Sequence, residues 1–175
     1  MWIIFFLIPV QIPFHLKAIG IEKTALIGAA IAMSTAFSAI SSFSYSKLKS
    51  QFSFLGIFSL GYLLMAAGFA CSSVANSYAL VVVAMMLTGL GMGMMITNTN
   101  MWVMKIAPPE IRGKEIGKLT TFWFLGQFLS PIVTFPLLSM LPLSSTFMVV
   151  ATLLLVLSLG FLVFNLSKIG KSLIQ

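Results

Sequence analysis

From Ser50 to Met104, and again from Leu119 to Ser167, the chain carries no Asp, Glu, Lys or Arg. Each run is more than twice the roughly 20 residues a helix needs to cross a bilayer. In soluble domains about a quarter of residues are charged, whereas here 7 % are charged, 59 % are hydrophobic and the mean hydropathy is +1.10. One hydrophilic stretch joins the two runs, and six of the thirteen charged residues fall in it, between Lys105 and Lys118. A charged clasp between uncharged blocks of that length requires that the blocks sit in lipid.

The apolar sequence divides into six segments, at about 1–14, 25–45, 52–71, 79–104, 119–141 and 145–166. The fold class expected is all-α and integral to the membrane, a six-helix bundle forming a single transmembrane domain. Five segments are long enough to span about 30 Å of hydrocarbon at 1.5 Å per residue. The first is short and contains Pro9 and Pro13, which weaken a helix interior. It is expected to be a helix entered partway along its length.

Short connections place alternate loops on opposite faces. One face collects Lys47, Lys49, Lys105, Arg112, Lys114, Lys118, Lys168 and Lys171, and the other only Lys17 and Lys23. Basic residues concentrate in cytoplasmic loops, so the 105–118 loop and the C-terminus are expected in the cytoplasm, with the protein in the cell (inner or plasma) membrane. The net charge of +7 does not indicate nucleic acid, which needs a basic stripe on a folded surface. A single cysteine, Cys71, excludes an intrachain disulfide and a cysteine metal centre. No metal site or cofactor is expected. The N-terminus, MWIIFFLIPV, lacks a basic n-region and a small-residue cleavage site and reads as a membrane segment.

Small and polar residues mark the surfaces on these helices. The second segment presents Gly28, Ala32, Ala36 and Ala39 at helical spacing, a stripe expected to let a neighbouring backbone approach inside the bundle. In the fourth, Gly89, Gly93 and Thr97 form a second such ridge, with Gly91, Asn98 and Trp102 on a different face. The glycine run there has neither the preceding strand nor the following Lys-Ser/Thr of a phosphate loop. Asn98 and Asn100 stand about 200° apart around the helix. Each must find a partner or line a wet cavity, so interhelical bonding and solute contact both remain open. Trp102 reads as an interfacial anchor.

The fifth segment carries Thr120, Gln127 and Thr134 at heptad spacing, with Trp123 one turn from Gln127 and a separate Gly126/Ser130 pair. Gln11 lies between the two prolines of the first segment, where interrupted backbone can line a cavity. Gln11, Asn98, Asn100, Trp123 and Gln127 are therefore the candidates for a solute cavity. The third and sixth segments are nearly featureless and read as lipid-facing supports, and His15 is expected just outside the first.

The clasp reads Pro108-Pro109-Glu110-x-Arg112-Gly113-x-x-x-Gly117, continuing to Gly126-x-x-x-Ser130-Pro131. This resembles the loop after the fourth span of each half in the major facilitator superfamily, and then that family's Gly/Pro motif. Ser130 replaces the Gly before Pro131, and Thr134 and Phe135 stand where a Gly pair is expected. The loop Tyr45–Gln51 lacks the Asp and Arg of the family's first-half signature, so the chain resembles the C-terminal six-helix half, nearest to drug- and sugar-efflux branches. The resemblance implies transport of a small organic solute by alternating access, with a missing N-terminal half or a second chain as partner. It also gives Arg112, Gly113, Gly117, Gly126, Ser130 and Pro131 gating or bracing roles. No carboxylate lies in a span, so a coupling acid would come from the other half. The rival reading is a non-transporting membrane fragment or accessory subunit. An intramembrane enzyme finds no catalytic constellation among these residues.

Overall fold

A backbone amide in hydrocarbon has no water to bond, so a chain this apolar satisfies its peptide groups internally, as helix. In the computed structural model, which describes residues 2–167, the chain is all-helical and contains no strand among those residues. The helices are α1 (Trp2–Ala18), α2 (Thr24–Phe43), the single turn-and-a-half α3 (Tyr45–Lys49), α4 (Phe54–Ser73), α5 (Tyr78–Ile106), α6 (Arg112–Met140) and α7 (Leu143–Leu166). A 3-10 turn, Pro109–Ile111, precedes α6. Lys168 and Lys171, counted above with the basic face, lie outside the described residues.

Three expectations about individual elements change. Helix α1 runs through both prolines and ends only at Ala18. Its end is a glycine cap: Gly20 has φ 84°, with its N–H on Lys17 O at 3.0 Å and the Ile21 N–H on Leu16 O at 2.9 Å. That double bond is the Schellman pattern, which needs a residue free to adopt left-handed backbone. His15, expected outside, is therefore inside α1 and buried. The charged clasp is also mostly helix. Helix α5 reaches Ile106 and α6 starts at Arg112, so Gly113, Lys114, Glu115, Gly117 and Lys118 sit on α6, not in a loop.

Helix α4 is the third correction. Its featureless sequence suggested a lipid-facing support, yet 67 % of its apolar window is buried, against 17 % for the 109–140 segment that contains α6. It packs on α7 along one side and on α5 along the other. Uniform apolarity has two causes, lipid on one face or protein on all, and periodicity cannot separate them. Against α7, Ser59 and Ser158 each donate a hydroxyl to the other's carbonyl, at 2.9 and 2.7 Å. Against α5 the helices approach through glycine: a Cβ on Gly91 would lie 2.5 Å from Gly61 O, and one on Gly68 2.8 Å from Ala84 O.

The Gly89/Gly93 ridge of α5 meets α2, where a Cβ on either glycine would fall 2.2 Å from Ser34 O and 2.0 Å from Ser38 O. The matching face of α2 is its serines. Ser34 and Ser41 are buried, and Ser41 Oγ donates to Leu90 O at 2.7 Å. The Gly28–Ala32–Ala36–Ala39 stripe, expected to pack inside the bundle, is exposed along its whole length. Nothing lies within 4 Å of a Cβ on Gly28.

Candidate functional site

Helix α1 sits with α6 on one side and α2 on another, so α1 and its neighbours hold most of the candidate residues. Helix α6 closes on α1 through the Gly126/Ser130 pair. A Cβ on Gly126 would stand 2.3 Å from Trp2 Cβ, and Ser130 Oγ donates to Ile3 O at 2.7 Å. One turn earlier, Trp123 stacks on Trp2 with centroids 4.6 Å apart and planes 11° from parallel. Phe5 meets the same indole edge-on at 5.7 Å. Trp123 is thus half-buried in an aromatic cluster at the α1–α6 seam.

The proposed polar stripe of α6 divides. Thr134 is buried and donates to Ser130 O at 2.7 Å. Thr120 is exposed and bonds back to Ile116 O at 3.1 Å. Gln127 is exposed on the flank of the Gly126/Ser130 face. Pro131 lies inside α6 without ending it.

Gln11 lies on the inner stripe of α1 with Leu7, Ile8, Ile12, His15 and Leu16, and is only 9 % exposed. Its amide has no hydrogen-bond partner among the described residues. His15, one turn on, sets its Nε2 3.1 Å from Ala75 O; a carbonyl only accepts, so that nitrogen carries the proton. The His15 ring also meets Phe147 edge-on at 5.5 Å, so one imidazole ties α1 to the α4–α5 connection and to α7. Three residues before Ala75, Ser72 Oγ is buried without a partner in the described structure.

Asn98 faces the protein interior. It is fully buried; its Oδ1 accepts from Tyr45 OH at 2.8 Å and its Nδ2 donates to Phe54 O at 2.9 Å. Each end of the amide makes one bond, so Asn98 ties the first residues of α3 and α4 to α5. Tyr45 was not anticipated as its partner. Only its polar hydroxyl at the end of an apolar helix could have signalled it, because the pair is separated by 53 residues. Asn100, on the other side of α5, is half-buried and makes no side-chain hydrogen bond among the described residues. Trp102, read as an interfacial anchor, packs against α4, stacking on Phe54 at 6.0 Å and leaning on Phe58 at 5.6 Å.

In the clasp, Arg112 Nε donates to Ala107 O at 3.2 Å, so the guanidinium holds the carbonyl where α5 ends. Lys118 and Glu115 form an ion pair at 2.7 Å on the first turns of α6. Gly113 and Gly117 are helical, and nothing lies within 4 Å of a Cβ on either. No tight turn occurs at either glycine. No group of His, Cys, Asp and Glu able to hold a metal occurs among the described residues.

The profile of the Major Facilitator Superfamily matches residues 1–173. No curated protein matches the sequence. The family's members are transporters of small solutes and not enzymes, and five of the helices here are long and apolar enough to cross a membrane. This all-helical integral membrane chain belongs to the Major Facilitator Superfamily.

Proposed function

We propose that the chain is one six-helix half of a secondary transporter, moving a small organic solute by rocking against a second six-helix body around a midplane cavity. The observation that carries this reading is an unused packing surface. Gly28, Ala32, Ala36 and Ala39 of α2 are exposed, and the glycines at 113 and 117 of α6 are uncrowded. Small residues at such spacing serve close helix approach in lipid, and lipid tails alone give no reason for them. The second body is either an upstream half or a separate chain.

Gln11 and Asn100 are the polar groups best suited to a wet pathway, since an amide on an apolar helix without a protein partner is best served by water or solute. Trp123 and Gln127 would border it from α6. Asn98 is better suited to bracing, as are Gly126, Ser130 and Pro131 at the α1–α6 seam. Arg112 would steady the junction of α5 and α6, with Gly113 and Gly117 admitting the partner body. Eight basic residues against two support a cytoplasmic location for the 105–118 region and the C-terminus. The efflux-like flavour of the sequence favours export. A coupling carboxylate, where one is used, would sit in the second body.

Flux measurement in liposomes tests the proposal. The expected result is no solute flux from the 175-residue chain alone and flux once an upstream six-helix half is joined to it. Absence of flux from both preparations, across a panel of organic solutes, would favour a non-transporting accessory protein.

A further inference from the structure

The last turn of α1 lies between two breaks in regular helix. Pro13 has no N–H to give the Pro9 carbonyl, and a helix bends at such a point. Beyond the turn, Gly20 closes the helix in the left-handed region, at φ 84°. Between the two breaks, residues 14–18 carry His15, which is 6 % exposed.

One side chain holds that turn in place. Four helices are joined in a row, α2 on α5, α5 on α4 and α4 on α7, whereas α1 packs most widely on α6. Among the described residues α1 makes two hydrogen bonds to other elements. Ser130 Oγ donates to Ile3 O near its start, and His15 Nε2 donates to Ala75 O at its end. The second is its polar tie to the α4–α5 connection. Ile12 and Leu16 are fully buried in the same core, but in lipid such apolar contacts are exchanged for acyl chains at little cost. The histidine therefore decides whether the turn is docked.

A neutral ring suits the docked state and a charged one does not. With Nε2–H spent on Ala75 O, Nδ1 is left an acceptor, and no hydrogen bond reaches it among the described residues. A proton added there faces no anion. The connection 74–77 reads Val-Ala-Asn-Ser, and α2, α7 and the part of α6 beyond Lys118 hold no ionisable residue. Cys71 and Tyr78, at the adjoining ends of α4 and α5, donate to Leu80 O and Leu26 O. Lys17, Glu22 and Lys23 are exposed at the same end of the bundle. The Phe147 ring meets the imidazole edge-on. A buried charge without a counter-ion is costly, and water relieves it once the turn swings out. The undocked state binds the proton better, so acid favours it. Two buried groups beside the tie also lack partners: Ser72 Oγ, three residues before Ala75, and Gln11, one turn before His15. Both gain water on opening.

We propose that His15 is a proton-operated latch. Neutral, it docks the last turn of α1 on the α4–α5 connection; protonated, it releases that turn to water at the end of the bundle opposite the clasp. The latch concerns the packing of this chain and holds whether or not a solute is carried.

The test is a spin–spin distance across the latch, measured on the full chain in lipid nanodiscs. In a Cys71→Ser background, nitroxides go on K17C, on the turn itself, and on N76C, next to Ala75; both positions are exposed. The short distance is expected to dominate at about pH 8. The ratio of a longer distance to the short one should rise at least about tenfold by about pH 5, since one linked proton changes a ratio by up to about tenfold per pH unit. H15Q, whose amide can still donate to Ala75 O, should hold the short distance at both pH values. H15F should be insensitive to pH, and E22Q should respond like the wild type. A wild type without the response, or a response kept in either histidine variant, overturns the latch. Loss of the response in E22Q moves the proton to Glu22 and overturns the assignment to His15. Circular dichroism at both pH values separates release of the turn from loss of helix.

Discussion

At the scale of single residues, small polar groups set how closely the helices approach. Replacing Asn98 by Leu strips a partner from both Tyr45 OH and Phe54 O in one step. Interhelical hydrogen bonds in membranes contribute about 0.6 kcal/mol on average and up to about 1.7, so the loss should be about 1–3 kcal/mol. Reversible unfolding in mixed detergent would measure it, and Tyr45→Phe, which removes one bond, should cost less than Asn98→Leu. Glycines provide a sharper contrast because the same substitution has opposite surroundings. Gly93→Ala drives a methyl to 2.0 Å from Ser38 O, whereas Gly28→Ala meets nothing within 4 Å. A backbone atom cannot move aside without its helix, so Gly93→Ala should destabilise by about 1–3 kcal/mol. Gly28→Ala should be neutral or stabilise by up to about 1 kcal/mol through helix propensity. Equal unfolding midpoints for the two variants would contradict the α2–α5 geometry.

At the scale of elements, the α1–α6 seam depends on one missing side chain. Gly126→Val would push α6 from Trp2 and Ile3, parting the Trp2–Trp123 stack and exposing Ile3 O, which Ser130 now satisfies. The measurable consequence is a changed tryptophan emission maximum, with the α4–α7 serine pair and overall helicity retained. The elements differ in how readable they were. Helical type and approximate extent follow from unbroken apolar runs, because hydrocarbon leaves the backbone no alternative. The role of each helix was less legible. Helices α4 and α7 have the same bland composition, yet α4 is central and α7 mostly exposed. On α2, a Gly/Ala stripe and a serine face were both available for packing, and the serines were chosen because their hydroxyls reach carbonyls of α5. Asn98 and Asn100 were separable by rotation alone, but the partners of Asn98 lie 44 and 53 residues away and leave no local trace.

At the scale of the whole molecule, the exposed stripe on α2 makes the two-body proposal testable apart from folding. The A32W/A36W variant places bulk on an exposed face of α2. Its unfolding midpoint should match the wild type within about 0.5 kcal/mol, while flux through the joined twelve-helix protein should fall at least tenfold. A parallel loss of stability would show that the stripe is already packed. Orientation is checked by labelling. In a Cys71→Ser background, a cysteine at Lys114 should react with a membrane-impermeant maleimide only in broken cells, and one at Lys23 in intact cells.

The sequence alone determined the solvent, the secondary structure and the family resemblance. Charge-free runs of this length exclude water, and water's absence compels helix; the Arg-Gly clasp is local enough to be read directly. Tertiary structure decided which small face each helix uses, that α1 continues through its prolines to bury His15, and that the Asn98 amide bonds Tyr45 and Phe54. Those outcomes depend on which backbone lies within about 3 Å of a given hydroxyl or amide, and the contacts join residues 44 to 60 positions apart. In lipid, where burying apolar surface does not distinguish one helix pairing from another, such contacts choose the arrangement.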